Sequence, residues 1–401
     1  MPTKILFTGI KLCRNLGGPS LLVSTKRVLD QFFMDAEYTL ISSKEEDLAL
    51  ADVYNVRVIP WRFIWSLPAL LTGCISGIPM GSKLTKALVS SFAEADVIID
   101  ISGIMFCDSL LNNRFMTRAL EGFHLALGKM FRKPVIKYTA DIGPFKSTWN
   151  RFFARLYLQN FVDLILARND NTRQRLSALG VSTPVRVCPD TAFLLEPRKS
   201  TFSERLGKMK ANHPLVGFSV SFQAAKQAAV ADNYLKDMAS LADYIIRSKK
   251  ARIVLIPNDL SQDALRDDVS VAREIFGRMS KQDETIIFSK EYDAWEMKGV
   301  IGQCDVLLAA RYHSMIAGLS QGIPVLAIGW HDKYPEALRL VGQEQCLGLV
   351  RSLDLNDLQK KFDSLWHERL QIKNQINGSL PGIRERILQG GKEVSLLLKK
   401  Q

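Results

Sequence analysis

Residues 306–330, VLLAARYHSMIAGLSQGIPVLAIGW, constrain the fold more tightly than any other stretch of the chain. The apolar run at 306–310 reads as a buried strand. A polar turn, Arg311-Tyr312-His313-Ser314, ends it. A short helical segment follows at 315–321, Gly322 stops it, and Ile323-Pro324 opens a second apolar strand. Strand, turn, helix and strand in this order make half of a parallel α/β unit. Ligands of such sheets bind outside the carboxyl ends of the strands. Arg311 and His313 stand there, and Ser314 is the expected N-cap of a helix whose free N–H groups favour anions. A permanent cation, a titratable imidazole and a helix N-terminus at one place point to an anionic substrate and to proton transfer. The bland alternative is an Arg paired to a neighbouring carboxylate and a His that caps or packs.

The same alternation runs through the whole chain. Strand-like runs stand at 4–10, 37–43, 55–60, 96–103, 134–144, 164–168 and 185–190. Helical stretches such as 20–33, 149–160 and 171–179 separate several of them. A second series begins at 215–221 and continues at 251–259, 284–289, 306–311 and 324–330. Such alternation argues for mostly parallel sheets with helices on both faces. The charged stretch around 194–214 is poor in β-branched residues and reads as a connection. The expected organisation is a Rossmann-like domain over 1–195, a linker over 196–213, a second Rossmann-like domain over 214–375 and a helical tail over 376–401. A length of 401 residues suits two domains better than one. Two such domains facing one another would place a central cleft between the carboxyl ends of both sheets.

The formal net charge of +12 suits nucleic acid, an anionic membrane face or anionic substrates. No basic stripe interleaved with aromatics and no nucleic-acid motif is present, so nucleic acid ranks last. The six cysteines form no C-x-x-C pair and no ligand cluster with the histidines, so neither a metal site nor a disulfide framework is expected. Residues 5–10 are too short for a signal-peptide core, and a cytoplasmic protein is expected. Residues 63–82, FIWSLPALLTGCISGIPMGS, carry no charge. Pro68, Gly73, Gly77 and Pro79 argue against a spanning helix there. The run reads as a buried helix-loop, or as a flap that touches the membrane. No G-x-G-x-x-G follows the first strand, and neither a P-loop nor a nucleophile elbow appears, so no dinucleotide or ATP chemistry is supported.

Further candidates stand at other strand ends. Arg168 precedes Asn169-Asp170-Asn171-Thr172, a helix start. Asp190 follows Pro189, and Asp141 lies in TADIGP. Either carboxylate is equally readable as a turn or cap residue. Arg168 has Asp163 or Asp170 as nearby partners. Arg114 and Arg118 read as cations on a solvated helix. Two strand-end arginines from different domains would suit a doubly anionic ligand.

The run from Arg311 to Val325, with Lys333 shortly after it, resembles the C-terminal signature of the polysaccharide pyruvyl transferases. Ala167-Arg168 before Leu179-Gly180-Val181, and the run Pro189-Asp190-Thr191-Ala192-Phe193, add to the resemblance, which spans roughly residues 4–345 in order. It implies two facing Rossmann-like domains, as in glycosyltransferases of the B type, and transfer of pyruvate from phosphoenolpyruvate onto a sugar as a ketal. By resemblance, Arg311 and His313 contact phosphoenolpyruvate, with Arg168, Ser314 and Lys333 on the donor side. Asn15, Gly17, Ser102, Gly103 and Asp141 fall on the acceptor side. The chain departs from the family pattern twice. Asn15-Leu16-Gly17-Gly18 stands where an Asn-x-Gly-Asp segment is frequent, and Ser102-Gly103-Ile104 stands where a paired glycine is frequent.

The chemistry fits the residues in its own right. Guanidinium groups suit a carboxylate and a phosphate. His313 is the expected proton donor to the methylene carbon. Arg311 would stabilise the departing phosphate, and Asp190 or Asp141 would take hydroxyl protons. No cofactor or metal is expected. Two other readings stay open: a nucleotide-sugar glycosyltransferase, for which Asp332 is a weak ribose-binding acid, and a non-catalytic glycan-precursor binder. The basic surface and residues 63–82 lead to an expected peripheral association with the cytoplasmic membrane face, where lipid-linked sugars are presented.

Overall fold

The computed structural model describes residues 2–61, 82–108, 115–210, 212–260, 267–288 and 292–400. The expected flap at 63–82 lies, but for Ser82, outside the described residues, as does Arg114. Among the described residues no helix is long and apolar enough to cross a membrane. The chain divides into two compact units.

Unit 1 comprises Met1–Cys13, Leu21–Thr191 and Glu385–Gln401. Its strands are β1 (Lys4–Thr8), β2 (Glu37–Ser42), β3 (Arg57–Pro60), β4 (Val97–Asp100), β5 (Ile104–Met105), β6 (Val135–Ile142), β7 (Leu164–Ala167) and β8 (Val185–Val187). They form one sheet in the order β3-β2-β1-β4-β6-β7-β8, with β5 beside β6. The registered pairs are parallel, and Thr8 stands opposite Asp100. Every residue of β4 and β6 is buried, as a parallel sheet covered on both faces requires. Helices α1 (Gly17–Leu29), α2 (Lys83–Glu94), α3 (Phe115–Glu121), α4 (Phe123–Met130), α5 (Thr148–Asn160) and α6 (Asp170–Ala178) make the crossovers. The Ser147 hydroxyl caps α5, and the Asn169 side chain caps α6 by accepting from Thr172 N at 2.8 Å.

Unit 2 comprises Arg14–Ser20 and Ala192–Arg384. Strands β9 (Leu215–Ser219), β10 (Arg252–Ile256), β11 (Thr285–Ile287), β12 (Val306–Ala309), β13 (Val325–Gly329) and β14 (Leu347–Leu349) form a parallel sheet in the order β11-β10-β9-β12-β13-β14. Its helices are α7 (Thr201–Lys210), α8 (Phe222–Gln227), α9 (Ala231–Lys249), α10 (Asp268–Arg278), α11 (Ala294–Ile301), α12 (Tyr312–Leu319), α13 (Lys333–Arg339) and α14 (Leu355–His367). The stretch read as a linker contains α7, which buries Ser203 and Leu206 at helical spacing and turns its charges outward. Only amphipathic periodicity, hidden by a high charge content, distinguishes it from a connection.

Helix α15 (Arg369–Lys399) closes the chain. Its last part belongs to unit 1, where a Cβ on Gly390 would come within 2.5 Å of Cys188 Sγ. The expected tail is therefore a packed element, and Gly390-Gly391 is what allows the close approach. In both sheets the strand order reverses beside the first strand, between β1 and β4 and between β9 and β12. These are the switch points at which open α/β sheets bind ligands.

Candidate functional site

At the unit 2 switch point, β12 runs directly into Arg311, which is the N-cap of α12. Asp268, the first residue of α10, meets Arg311 with both carboxylate oxygens. Arg311 Nε donates to Oδ2 at 2.7 Å and Nη2 to Oδ1 at 2.5 Å. Asp268 also accepts from the backbone N–H groups of Phe222, Asn258 and Asp259 at 2.8, 3.1 and 2.9 Å. The pair is buried, so the guanidinium is a fixed plane and not a mobile cation. Asp268 occupies its Nε and Nη2 edge. The hydrogen bonds to Asp268 run through Nε and Nη2, not through Nη1.

Helix α12 starts three residues earlier than apolar periodicity suggests, which corrects the expected role of Ser314. Arg311 takes the cap position without a side-chain capping bond. Ser314 is buried inside the first turn, where its hydroxyl accepts from Asn258 Nδ2 at 3.1 Å. The α12 N-terminus is thus not closed by its cap residue's side chain, which keeps it suited to an anion. Lys333, at the start of α13, lies over the rings of Tyr312 and Trp330 at 4.8 and 5.4 Å. The Tyr334 hydroxyl holds the same corner by donating to Ala310 O at 2.9 Å. Ser219, at the carboxyl end of β9, has a buried hydroxyl with no hydrogen-bond partner among the described residues.

The segment 14–20 joins this unit. Leu260 N donates to Arg14 O at 2.8 Å, Leu16 N to Asn258 O at 3.3 Å, and Asn15 bridges Asp259. Gly17 N donates to the Asn15 side chain at 2.8 Å. A Cβ on Gly17 would lie 2.4 Å from His313 Nδ1, so the imidazole rests on a bare Cα. It also meets the Tyr312 ring in a T-shaped contact at 5.4 Å. Asn15 and Gly17 thus share the unit of Arg311, His313, Ser314 and Lys333.

Unit 1 gathers the remaining candidates. Arg168 follows β7 and is buried. Its Nη1 donates to Asp141 Oδ2 at 3.1 Å, its Nε to Thr139 O at 3.0 Å, and its Nη2 lies 3.1 Å from Asp190 Oδ2. Asn169 Nδ2 donates to the other oxygen of Asp141 at 2.5 Å. A Cβ on Gly103 would lie 2.8 Å from Arg168 Nη2, so this glycine too makes room for a guanidinium. The partners of Arg168 are therefore Asp141 and Asp190, and not Asp163 or the helix-start Asp170. Asp163 instead pairs with Lys129 at 2.5 Å and Asp170 with Arg173 at 2.7 Å.

Residues 15–332 match the family model described as polysaccharide pyruvyl transferase. The chain belongs to the polysaccharide pyruvyl transferase family. The amylovoran biosynthesis protein AmsJ of Erwinia amylovora is similar, at 22% identity over 323 residues covering 76% of this chain and 73% of AmsJ. Among solved structures, Anabaena HepE in complex with UDP-glucose superposes with a TM-score of 0.64 at 13% identity, over 99% of this chain and 100% of HepE. The UDP-GlcNAc 2-epimerase of Neisseria meningitidis, bound to UDP-GlcNAc, gives 0.61 at 13% identity, with 100% of each chain covered. At that identity the likeness speaks for the fold, two parallel α/β units of Rossmann type.

The transferase also carries a polar centre that strand-end reasoning overlooks. Asp100 ends β4 fully buried. It accepts from the Ser102 hydroxyl at 2.6 Å and the Thr8 hydroxyl at 3.1 Å, and from the Lys137 ammonium. His124 Nε2 lies 2.6 Å from its Oδ2. Lys137 also donates to Ser102 O and Oγ at 2.6 and 2.7 Å. Burial works against the Asp100 charge, yet Lys137 and His124 outweigh it and hold the carboxyl well below its usual range. Burial pulls the Lys137 ammonium down, against the attraction of Asp100. The available signal is a lysine following the apolar start of the run VIKYTADI, and a carboxylate closing VIID. Either is costly in a buried parallel strand without a partner. His124, on α4, gives no comparable signal.

Arg118 does not lie on a solvated face. It is fully buried, pairs with Glu121 at 2.7 Å and Asp108 at 3.5 Å, and donates to Cys107 O at 3.0 Å. Helix spacing accounts for Glu121, three residues on, but not for Asp108 and Cys107, which precede the helix.

Proposed function

We propose that this transferase moves the pyruvyl group of phosphoenolpyruvate onto two hydroxyls of a sugar, in a cell-surface polysaccharide or its lipid-linked precursor, and closes a pyruvate ketal. The observation that carries this reading is the grouping of Arg311, His313, Lys333 and an α12 N-terminus without a side-chain cap at one switch point. Phosphoenolpyruvate brings a carboxylate and a phosphate. Arg311 Nη1, the α12 N–H groups and Lys333 are the donors we assign to them. The rigid hold of Asp268 keeps Arg311 in place without reorganisation as charge builds on the phosphate.

In the proposed reaction, His313 protonates C3 of the enol while the first sugar oxygen bonds to C2. The second hydroxyl then bonds to C2 as the C2–O bond to phosphate breaks. Of the two hydroxyl protons, one balances that delivered to C3 and one leaves with inorganic phosphate. Asp141 and Asp190 are both engaged by Arg168, which lowers their value as bases. Within unit 1, Asp100 orients His124, an imidazole able to accept a proton. Its Nδ1 makes no hydrogen bond to a described residue. The reaction as proposed needs no cofactor. The expected setting is the cytoplasmic face of the membrane.

Thermal unfolding tests the donor. Phosphoenolpyruvate at a hundredfold excess over its Kd should stabilise the protein by about 2.7 kcal/mol, which is several degrees in Tm. Lys333→Gln should weaken that response. Lys333 rather than Arg311 is the informative variant, because removing Arg311 also strands Asp268. A rise with UDP-sugars and none with phosphoenolpyruvate would favour a nucleotide-sugar donor instead.

A further inference from the structure

Helices α3 and α5 of unit 1 expose an apolar surface that no step of the proposed reaction uses. Phe115 is 46% exposed, Met116 60%, Leu120 43%, Trp149 49% and Phe152 54%. Phe115, Trp149 and Phe152 form one patch. Phe115 meets Trp149 edge-on at 4.9 Å, and Trp149 meets Phe152 at 6.5 Å. Buried Phe153 anchors the group from beneath, 5.1 Å from both Phe115 and Phe152. The rings are therefore held in place before anything binds. Contiguous exposed aromatics of this kind mark an interaction surface.

The charges beside the patch identify the partner. Lys146, Arg151 and Arg155 are exposed on α5 or just before it. Helix α5 contains no acidic residue. The one carboxylate of α3, Glu121, is turned to Arg118, and Asp108 accepts from the backbone N–H groups of Lys146 and Ser147. The described surface of these two helices thus offers large apolar rings, including an indole, rimmed by positive charge alone. Apolar rings including an indole, beside Lys and Arg without a free carboxylate on these helices, are the combination that an anionic lipid surface takes up.

We infer that the α3–α5 face docks this protein on an anionic lipid bilayer, with Trp149 and Phe152 entering the headgroup boundary and Lys146, Arg151 and Arg155 meeting lipid phosphates. The docking needs no donor, so it stands apart from the phosphoenolpyruvate reading. Flotation of the full chain with vesicles tests it. Vesicles of mixed phosphatidylglycerol and phosphatidylcholine should carry the protein at low salt. Pure phosphatidylcholine should carry far less, and added salt should release it. The double variant Trp149→Ser/Phe152→Ser should lower partitioning about tenfold or more, and Arg151→Glu/Arg155→Glu should abolish the preference for the anionic lipid. All four residues are exposed, so the variants should keep the wild-type melting temperature and its response to phosphoenolpyruvate. Equal flotation of wild type and the double variant would overturn the assignment, as would absence of wild-type binding. Self-association in sedimentation velocity that the double variant loses would also overturn it and name a second copy as the occupant. A lost response to phosphoenolpyruvate with intact vesicle binding would count against the donor alone.

Discussion

His313→Ala should lower ketal-forming turnover by about 10²–10⁴-fold, the usual contribution of a positioned general acid, while the protein stays folded. The imidazole is only partly buried and its removal opens little core. Its packing against Gly17 and Tyr312 fixes where it points, so the loss should fall on kcat more than on substrate affinity. Gly17→Ala gives a second test that keeps the imidazole and shifts it. Its methyl would sit 2.4 Å from Nδ1 and must move the ring. A displacement of that order costs about 10²-fold in rate. Steady-state kinetics of both variants, beside their melting curves, checks the account. Full turnover in His313→Ala would remove the imidazole from the mechanism.

Asp100→Asn should destabilise the protein by about 3–5 kcal/mol, the range for breaking a buried ion pair from one side. Lys137 is fully buried, and its remaining partners at this centre are the carbonyl and hydroxyl of Ser102. The expected pH behaviour follows from the direction of the Asp100 shift. Its folded-state pKa lies below that of the unfolded chain. The stabilisation is therefore present above the unfolded carboxylate range, near pH ~4, and is lost as pH falls through the lower folded value. Denaturant melts of wild type and Asp100→Asn at neutral pH and in acid should converge on acidification. A variant as stable as wild type at neutral pH would mean that Lys137 is neutral in the fold.

The strands were legible because parallel sheets demand continuous apolar runs, and VIID, VLLA and VLAIG are such runs. β14 was not legible. It is a three-residue edge strand, too short for periodicity to register. The strand-end positions of Arg311, His313 and Arg168 could be read from order alone. Their partners could not, since Asp268 is 43 residues from Arg311 and Asp141 is 27 from Arg168. A carboxylate partner for Arg311 is one of the two expectations its position allows, and Asp268 supplies it from the start of α10 through Nε and Nη2. Asn15 and Gly17 read as acceptor-side residues of the first domain. Backbone hydrogen bonds to Asn258 and Leu260 carry them instead into unit 2 beside His313, a long-range pairing with no local signature.

The most direct test of the donor assignment is product analysis. The purified protein is incubated with phosphoenolpyruvate and a panel of p-nitrophenyl hexopyranosides, and both phosphate and glycoside mass are measured. The account predicts inorganic phosphate in equal amount to a glycoside heavier by pyruvate less one water, with neither formed by His313→Ala. Glycosyl transfer from a UDP-sugar, with phosphoenolpyruvate left intact across the panel, would contradict it.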